Sequence, residues 1–218
     1  NYNIGIGSNA LGALGDVAST FNVAIGYDAM STANHADLDG CIAIGRSTLS
    51  ALSTNTGAQG TVAIGNQALA ALTTGDKNIA IGYQAGTNIT TGYHNVIIGH
   101  GALDAADGSE NHNIAIGVDA LGSANENGVS SNIAIGTRAM DSTGAQAITN
   151  CVAIGYQTLQ NAEDEADETI AIGKSAGNKI TTGVKNVLIG RQSGDQGSYG
   201  LTTGSWNTAV GSDTFGAS

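Results

Sequence analysis

Asn78-Ile79-Ala80-Ile81-Gly82-Tyr83-Gln84-Ala85-Gly86 decides how the chain is read, because its first five residues return twelve times in variant form. The unit is a polar residue, a β-branched residue, a small residue, Ile and Gly. Its closing glycines are Gly7, Gly26, Gly45, Gly65, Gly82, Gly99, Gly117, Gly136, Gly155, Gly173, Gly190 and Gly211. They stand 17 to 21 residues apart from one end of the 218-residue chain to the other. A fixed period of this size marks a solenoid, in which one coil is repeated. The expected fold is all-β, a parallel β-roll or β-helix of about twelve coils, forming one elongated domain over residues 1–218. At about 4.8 Å per coil the stack is roughly 55 Å long.

With the closing glycine as position zero, minus one is Ile in eleven coils and minus three is Ile or Val in eleven. This alternation is a strand signal. The larger side chains are expected inside the coil as a core ladder: Ile25, Ile44, Ile64, Ile81, Ile98, Ile116, Ile135, Ile154, Ile172 and Ile189. Position minus two lies on the opposite face. It is Ala in nine coils, with Gly5, Ile97 and Leu188 as the departures. A small apolar outer face calls for a cover. Ala24, Ala43, Ala63, Ala80, Ala115, Ala134, Ala153 and Ala171 are therefore expected to form a subunit interface with further copies of the chain.

The glycine at zero suits a sharp corner, since it takes positive φ without steric cost. Beyond it, Ala at plus three and Leu or Met at plus four are expected to form a second short strand across a thin core. Where plus four is Gly86 or Gly177, Ile89 or Ile180 follows three residues later and is expected to fill the same site. Asn holds minus four in eight coils, and Asn22, Asn78, Asn95, Asn113, Asn132, Asn186 and Asn207 are expected to stack as a hydrogen-bonded ladder or to cap a repeated turn. Cys41 and Cys151 hold the same position six coils apart. That is roughly 29 Å at 4.8 Å per coil, too far for a disulfide. They read as free or interchain thiols.

The composition removes several function classes. The formal charge is −11, from 18 acidic and 7 basic residues. A nucleic-acid partner needs a basic face, and an anionic membrane would repel this surface. No run of 18 apolar residues is present, so membrane insertion is not expected. Catalytic motifs are missing, and no enzymatic activity, cofactor or metal is expected. Asp37-Leu38-Asp39-Gly40 lacks the spacing and closing Glu of a calcium loop. Glu163 to Glu168 reads as a solvated acidic loop. His94 and His112 share a column in adjacent coils, about 5 Å apart, and are expected to face outward. Tyr27, Tyr83, Tyr93, Tyr156, Tyr199 and Trp206 are candidate contacts to a receptor, since aromatics on a polar rim anchor binding.

The pentapeptide with its small-Leu continuation resembles the head repeats of trimeric autotransporter adhesins. The fuller phrase from Asn78 to Asn95, with Thr90-Thr91-Gly92 before the next Asn, is still more similar to repeats of phage tail fibres. The resemblance implies a left-handed β-roll, three chains about one axis, and a place on a virion appendage or cell surface. It implies attachment to a host-surface glycan or protein receptor, with other fibre or baseplate proteins as partners. The coils are longer than the compact adhesin coil, and neither a coiled-coil stalk nor a membrane anchor is seen. A phage or phage-like tail fibre is therefore the leading expectation. A bacterial adhesin head and a ligand-free spacer rod are the others.

Overall fold

The computed structural model describes residues 2–12, 19–32, 38–52, 58–105, 108–123, 128–142, 148–162, 166–195 and 202–215. Twelve strands of three residues follow one another: β1 Ile4–Ile6, β2 Val23–Ile25, β3 Ile42–Ile44, β4 Val62–Ile64, β5 Ile79–Ile81, β6 Val96–Ile98, β7 Ile114–Ile116, β8 Ile133–Ile135, β9 Val152–Ile154, β10 Ile170–Ile172, β11 Val187–Ile189 and β12 Thr208–Val210. Each occupies positions minus three to minus one of its repeat. They form one parallel sheet in sequence order. Among the described residues there is no helix. The register never slips: Ala24 lies beside Ala43, Ala43 beside Ala63 and Ala63 beside Ala80. The chain is thus a β-solenoid.

The glycine at zero is required twice over. Its φ runs from 129° to 145° across the twelve coils. A Cβ at Gly65 would also strike the carbonyl of Gly82 in the next coil. Stacked corners leave no room for a side chain.

The second strand expected at plus three and plus four does not form; the segment is a turn in every described coil. Plus two and plus four both take left-handed φ, for example 59° at Gln67 and 49° at Leu69, or 54° at Arg138 and 53° at Met140. A non-glycine residue in that region gives up about 1–2 kcal/mol. Burying the Leu or Met returns about 1.5–3 kcal/mol, enough to hold it there. The turn also keeps the stack bonded in both directions. Gln67 N donates to Arg46 O of the preceding coil at 2.9 Å, and Leu69 N to Ala85 O of the next at 3.0 Å.

The two faces of the strand are the reverse of the sequence expectation. Ala24, Ala43, Ala63, Ala80, Ala115, Ala134, Ala153 and Ala171 are fully buried within the chain, in one core with the Leu and Met of plus four. They are not a subunit interface. Ile25, Ile44, Ile64, Ile81, Ile98, Ile116, Ile135, Ile154, Ile172 and Ile189 lie on the outside, each partly exposed, and are not the core ladder. The physical reason is volume. The turn folds its Leu or Met under the strand, and only a small group fits opposite. Where minus two is large, plus four in the same or the preceding coil is glycine. A Cβ on Gly86 would come within 2.9 Å of Ile97 Cδ1, and one on Gly194 within 2.9 Å of Leu188 Cδ1. The exchange also runs the other way: a Cβ on Gly5 would come within 3.3 Å of Leu11 Cδ1. Ile89 and Ile180 are fully buried beside Gly86 and Gly177.

Candidate interaction surfaces

Three columns of side chains follow from this geometry: one buried and polar, one apolar and half-exposed, and one exposed and aromatic or charged.

The buried column is at minus four. Asn22, Asn78, Asn95, Asn113, Asn132 and Asn186 are fully buried, while Asn207 in the last coil is half-exposed. Each buried Asn does two jobs in the next coil. Asn95 Nδ2 donates to Glu110 O at 2.7 Å, and Asn95 Oδ1 accepts Asn113 N at 3.0 Å. Asn113 repeats this with Val129 O at 2.9 Å and Asn132 N at 3.1 Å. Asn22 and Asn186 reach Leu38 O and Gly204 O at 2.6 and 2.7 Å, and Asn78 reaches Gly92 O at 2.7 Å. Asn207 N donates to Asn186 Oδ1 at 2.9 Å. Buried polar groups are thereby satisfied from coil to coil.

Cys41 and Cys151 sit on two rungs of this ladder. Their thiols reach Ala58 O at 2.8 Å and Ala166 O at 3.1 Å. Both are free and buried, which removes the interchain alternative. Burial pushes the Cys41 thiol up to about 11 and the Cys151 thiol up to about 12. They are inert rungs rather than nucleophiles.

The apolar column pair is at minus three and minus one. Of its 24 positions 23 are Ile or Val, and the last strand contributes Thr208. Ile79 and Ile81 are each 37% exposed in mid-rod, and the end rungs more so. No charged residue enters the stripe, although the chain carries 25 charges. With 24 side chains that run from partly covered in mid-rod to more than half exposed at the ends, the stripe presents on the order of 1,000 Å² per chain, beyond the few hundred Å² usual on a monomer and within the size of a stable interface.

Polar and aromatic columns flank it. At plus one stand Tyr27, Tyr83 and Tyr156, between 46% and 55% exposed. Tyr83 stacks on His100, with ring centroids 5.2 Å apart, and Lys174 Nζ lies 5.7 Å over the Tyr156 ring. At minus five every described residue from Phe21 onward is left-handed, including Lys77, His94, His112, Lys185 and Trp206. Trp206 is 74% exposed beneath the Lys185 ammonium, 4.6 Å away. Tyr93, at minus six, packs its ring edgewise against both His94 and His112. A concavity of about 410 Å³ opens here, lined by Thr74, Asp76, Lys77, Thr91, Tyr93 and His94. Tyr199, Asp37 and the acidic run Glu163 to Glu165 lie outside the described residues.

Asp39 is already engaged: its Oδ1 accepts Thr20 N at 2.7 Å and Thr20 Oγ1 at 2.9 Å. Asp104, Asp119 and Asp141 gather on adjacent coils beside Arg138, which lies 3.8 Å from Asp119 and 3.9 Å from Asp141. Burial, and then the Asp119 charge, hold Asp104 and Asp141 above the usual carboxylate range. Among the described residues no group of three or more His, Cys, Asp or Glu is placed to hold a metal ion. Among the described residues no helix is long and apolar enough to cross a membrane.

The sequence hides the apolar stripe because size alone places Ile in the core. The signal that reveals it is the exchange of large residues at minus two (Ile97, Leu188) with glycine at plus four (Gly86, Gly177, Gly194). Compared with known proteins, the chain matches no family model, no curated protein and no solved structure.

Proposed function

We propose that this chain is a rigid segment of an extracellular fibre, in which three copies close their Ile/Val stripes on one another about a common axis. The stripe carries the proposal. An uncharged apolar band that repeats with every coil is best covered by a surface of the same period, and a further copy of the chain has it. A cyclic arrangement keeps all chains pointing the same way, as a fibre needs. The number three and the left-handed coil come from the resemblance of the repeat to tail-fibre and adhesin repeats.

The role of such a segment is attachment, on a phage or phage-like tail fibre, to a glycan or protein on a host surface. Tyr27, Tyr83, Tyr93, Tyr156 and Trp206 are exposed beside the stripe rather than within it, so they stay available in the assembly. Three chains repeat any weak contact and gain avidity without new chemistry.

Light scattering tests the assembly: the 21.6 kDa chain is expected at three times its own mass. A monomer at micromolar concentration would refute the interface. A glycan array and a host-cell binding assay test attachment, and a trimer that binds nothing would leave the rod a spacer.

A further inference from the structure

We propose that His94 and His112 form a two-imidazole chelate for Zn²⁺, a site independent of how the chains assemble. His94 Nδ1 and His112 Nε2 face each other at 3.3 Å, with the rings inclined at 71°. With zinc–nitrogen bonds of 2.0–2.1 Å, that separation corresponds to an N–Zn–N angle of roughly 104–111°, close to tetrahedral. A right-angled octahedral pair would need its nitrogens nearer together, at roughly 2.9 Å.

The pair is held by the fold. Both residues take the same left-handed conformation, φ 58° and 59°. His94 N donates to Asp76 O at 3.0 Å and His112 N to Tyr93 O at 3.2 Å. The next residues, Asn95 and Asn113, are consecutive rungs of the buried ladder, so the two Cα atoms cannot drift apart. Tyr93 braces both rings from one side, at 5.2 and 5.1 Å between centroids.

Both imidazoles are exposed, so they can turn their lone pairs toward a shared ion. In the free pair one ring donates its N–H to the other. On chelation that ring shifts its hydrogen to its other nitrogen, so no proton need be lost. Water fills the remaining positions, for which the neighbouring concavity offers room. The Lys77 ammonium beside it opposes a cation, while the Asp76 carboxylate and the net charge of −11 favour one. Two protein ligands make a weak site, with half-saturation expected at micromolar to sub-millimolar zinc. The bound ion would tie the coil of β6 to the coil of β7.

The experiment is calorimetric titration of the full chain with ZnCl₂ at neutral pH. One ion per chain is expected, with at least tenfold weaker binding in His94→Ala and in His112→Ala and no change in His100→Ala. MgCl₂, which prefers oxygen ligands, is expected to give no heat at this site. Side-chain NMR of the unmodified chain reads the same question without a variant: zinc is expected to move the His94 and His112 resonances and spare His100. Binding that survives both substitutions would overturn the proposal. So would no binding to the unmodified chain at millimolar zinc, or zinc shifts that leave His94 and His112 untouched.

Discussion

Ala80→Asp and Ile81→Asp place the same carboxylate on neighbouring residues of β5 and separate the two faces of the strand. Ala80 is fully buried in the core. A carboxylate there has neither water nor a partner, so the coil is expected to lose roughly 3–5 kcal/mol or more and to unfold locally. Ile81 is 37% exposed in a single chain. Full burial of an Ile is worth about 1.5–3 kcal/mol, so about 1–2 kcal/mol is already realised within the chain and about 0.6–1.1 kcal/mol remains for a covering surface to supply. Ile81→Asp should therefore weaken the isolated chain by about 1–2 kcal/mol and leave it folded. In a closed assembly the same change forfeits the remainder and strands a carboxylate in a dry seam, at least about 2 kcal/mol more per chain. Over three chains this reaches about 8–9 kcal/mol, or roughly six powers of ten in the association constant. Circular dichroism with urea unfolding reads the fold, and light scattering reads the mass. The expected result is a folded monomer for Ile81→Asp and an unfolded or aggregated chain for Ala80→Asp. An Ile81→Asp protein that keeps the mass of the wild-type oligomer would refute the stripe as interface. Equal unfolding of the two variants would refute the assignment of faces.

Gly65→Ala is expected to cost about 3 kcal/mol or more in urea unfolding, because its Cβ meets the Gly82 carbonyl at a φ of 134°. Ser131→Gly, at an exposed left-handed φ of 61°, should instead stabilise by up to about 1 kcal/mol. Asn113→Ala should cost about 2–5 kcal/mol, since it orphans Val129 O and Asn132 N in the core. Asn113→Thr should cost less, as Thr61 and Thr169 already serve at that position, accepting Asn78 N and Asn186 N. Cys41 and Cys151 should resist a thiol reagent at pH 8 until the chain is unfolded. Their protonation midpoints are raised from 9.0 to about 11 and about 12. The unfolded chain thus gives up these protons first, and their contribution, complete below pH 9, fades as pH climbs toward 11–12. A Cys41→Ala/Cys151→Ala protein should show a shallower alkaline loss of stability than the parent.

The period, the strands and their bounds were legible in the sequence because each depends on one repeated local demand: a corner that admits only glycine, preceded by two β-branched residues. The Asn column was legible for the same reason. The sign of the alternation was not. Period two says that Ala80 and Ile81 face opposite ways, but not which way is in. Size suggested Ile, whereas a turn that folds a side chain such as Leu69 under the strand leaves space for a methyl group only. The turn itself was hidden because its left-handed positions, such as Gln67 and Leu69, carry ordinary side chains instead of glycine. The His94–His112 column could be placed from spacing. That the two nitrogens meet at 3.3 Å depends on ring orientation, which spacing does not carry.

The constant register of the sheet makes length a modular quantity. Ala63, Ala80 and Ile97 stand beside one another across β4, β5 and β6, so the edge a coil offers its upper neighbour matches the edge it needs from its lower one. Excising residues 83–99 would bring Gly82 directly before His100 and restore the same joint, one rung shorter. Each such step changes the reach of the rod by about 4.8 Å. The molecule can therefore act as a ruler graduated in whole coils, whose span is altered by duplication or deletion of sequence without redesigning any contact.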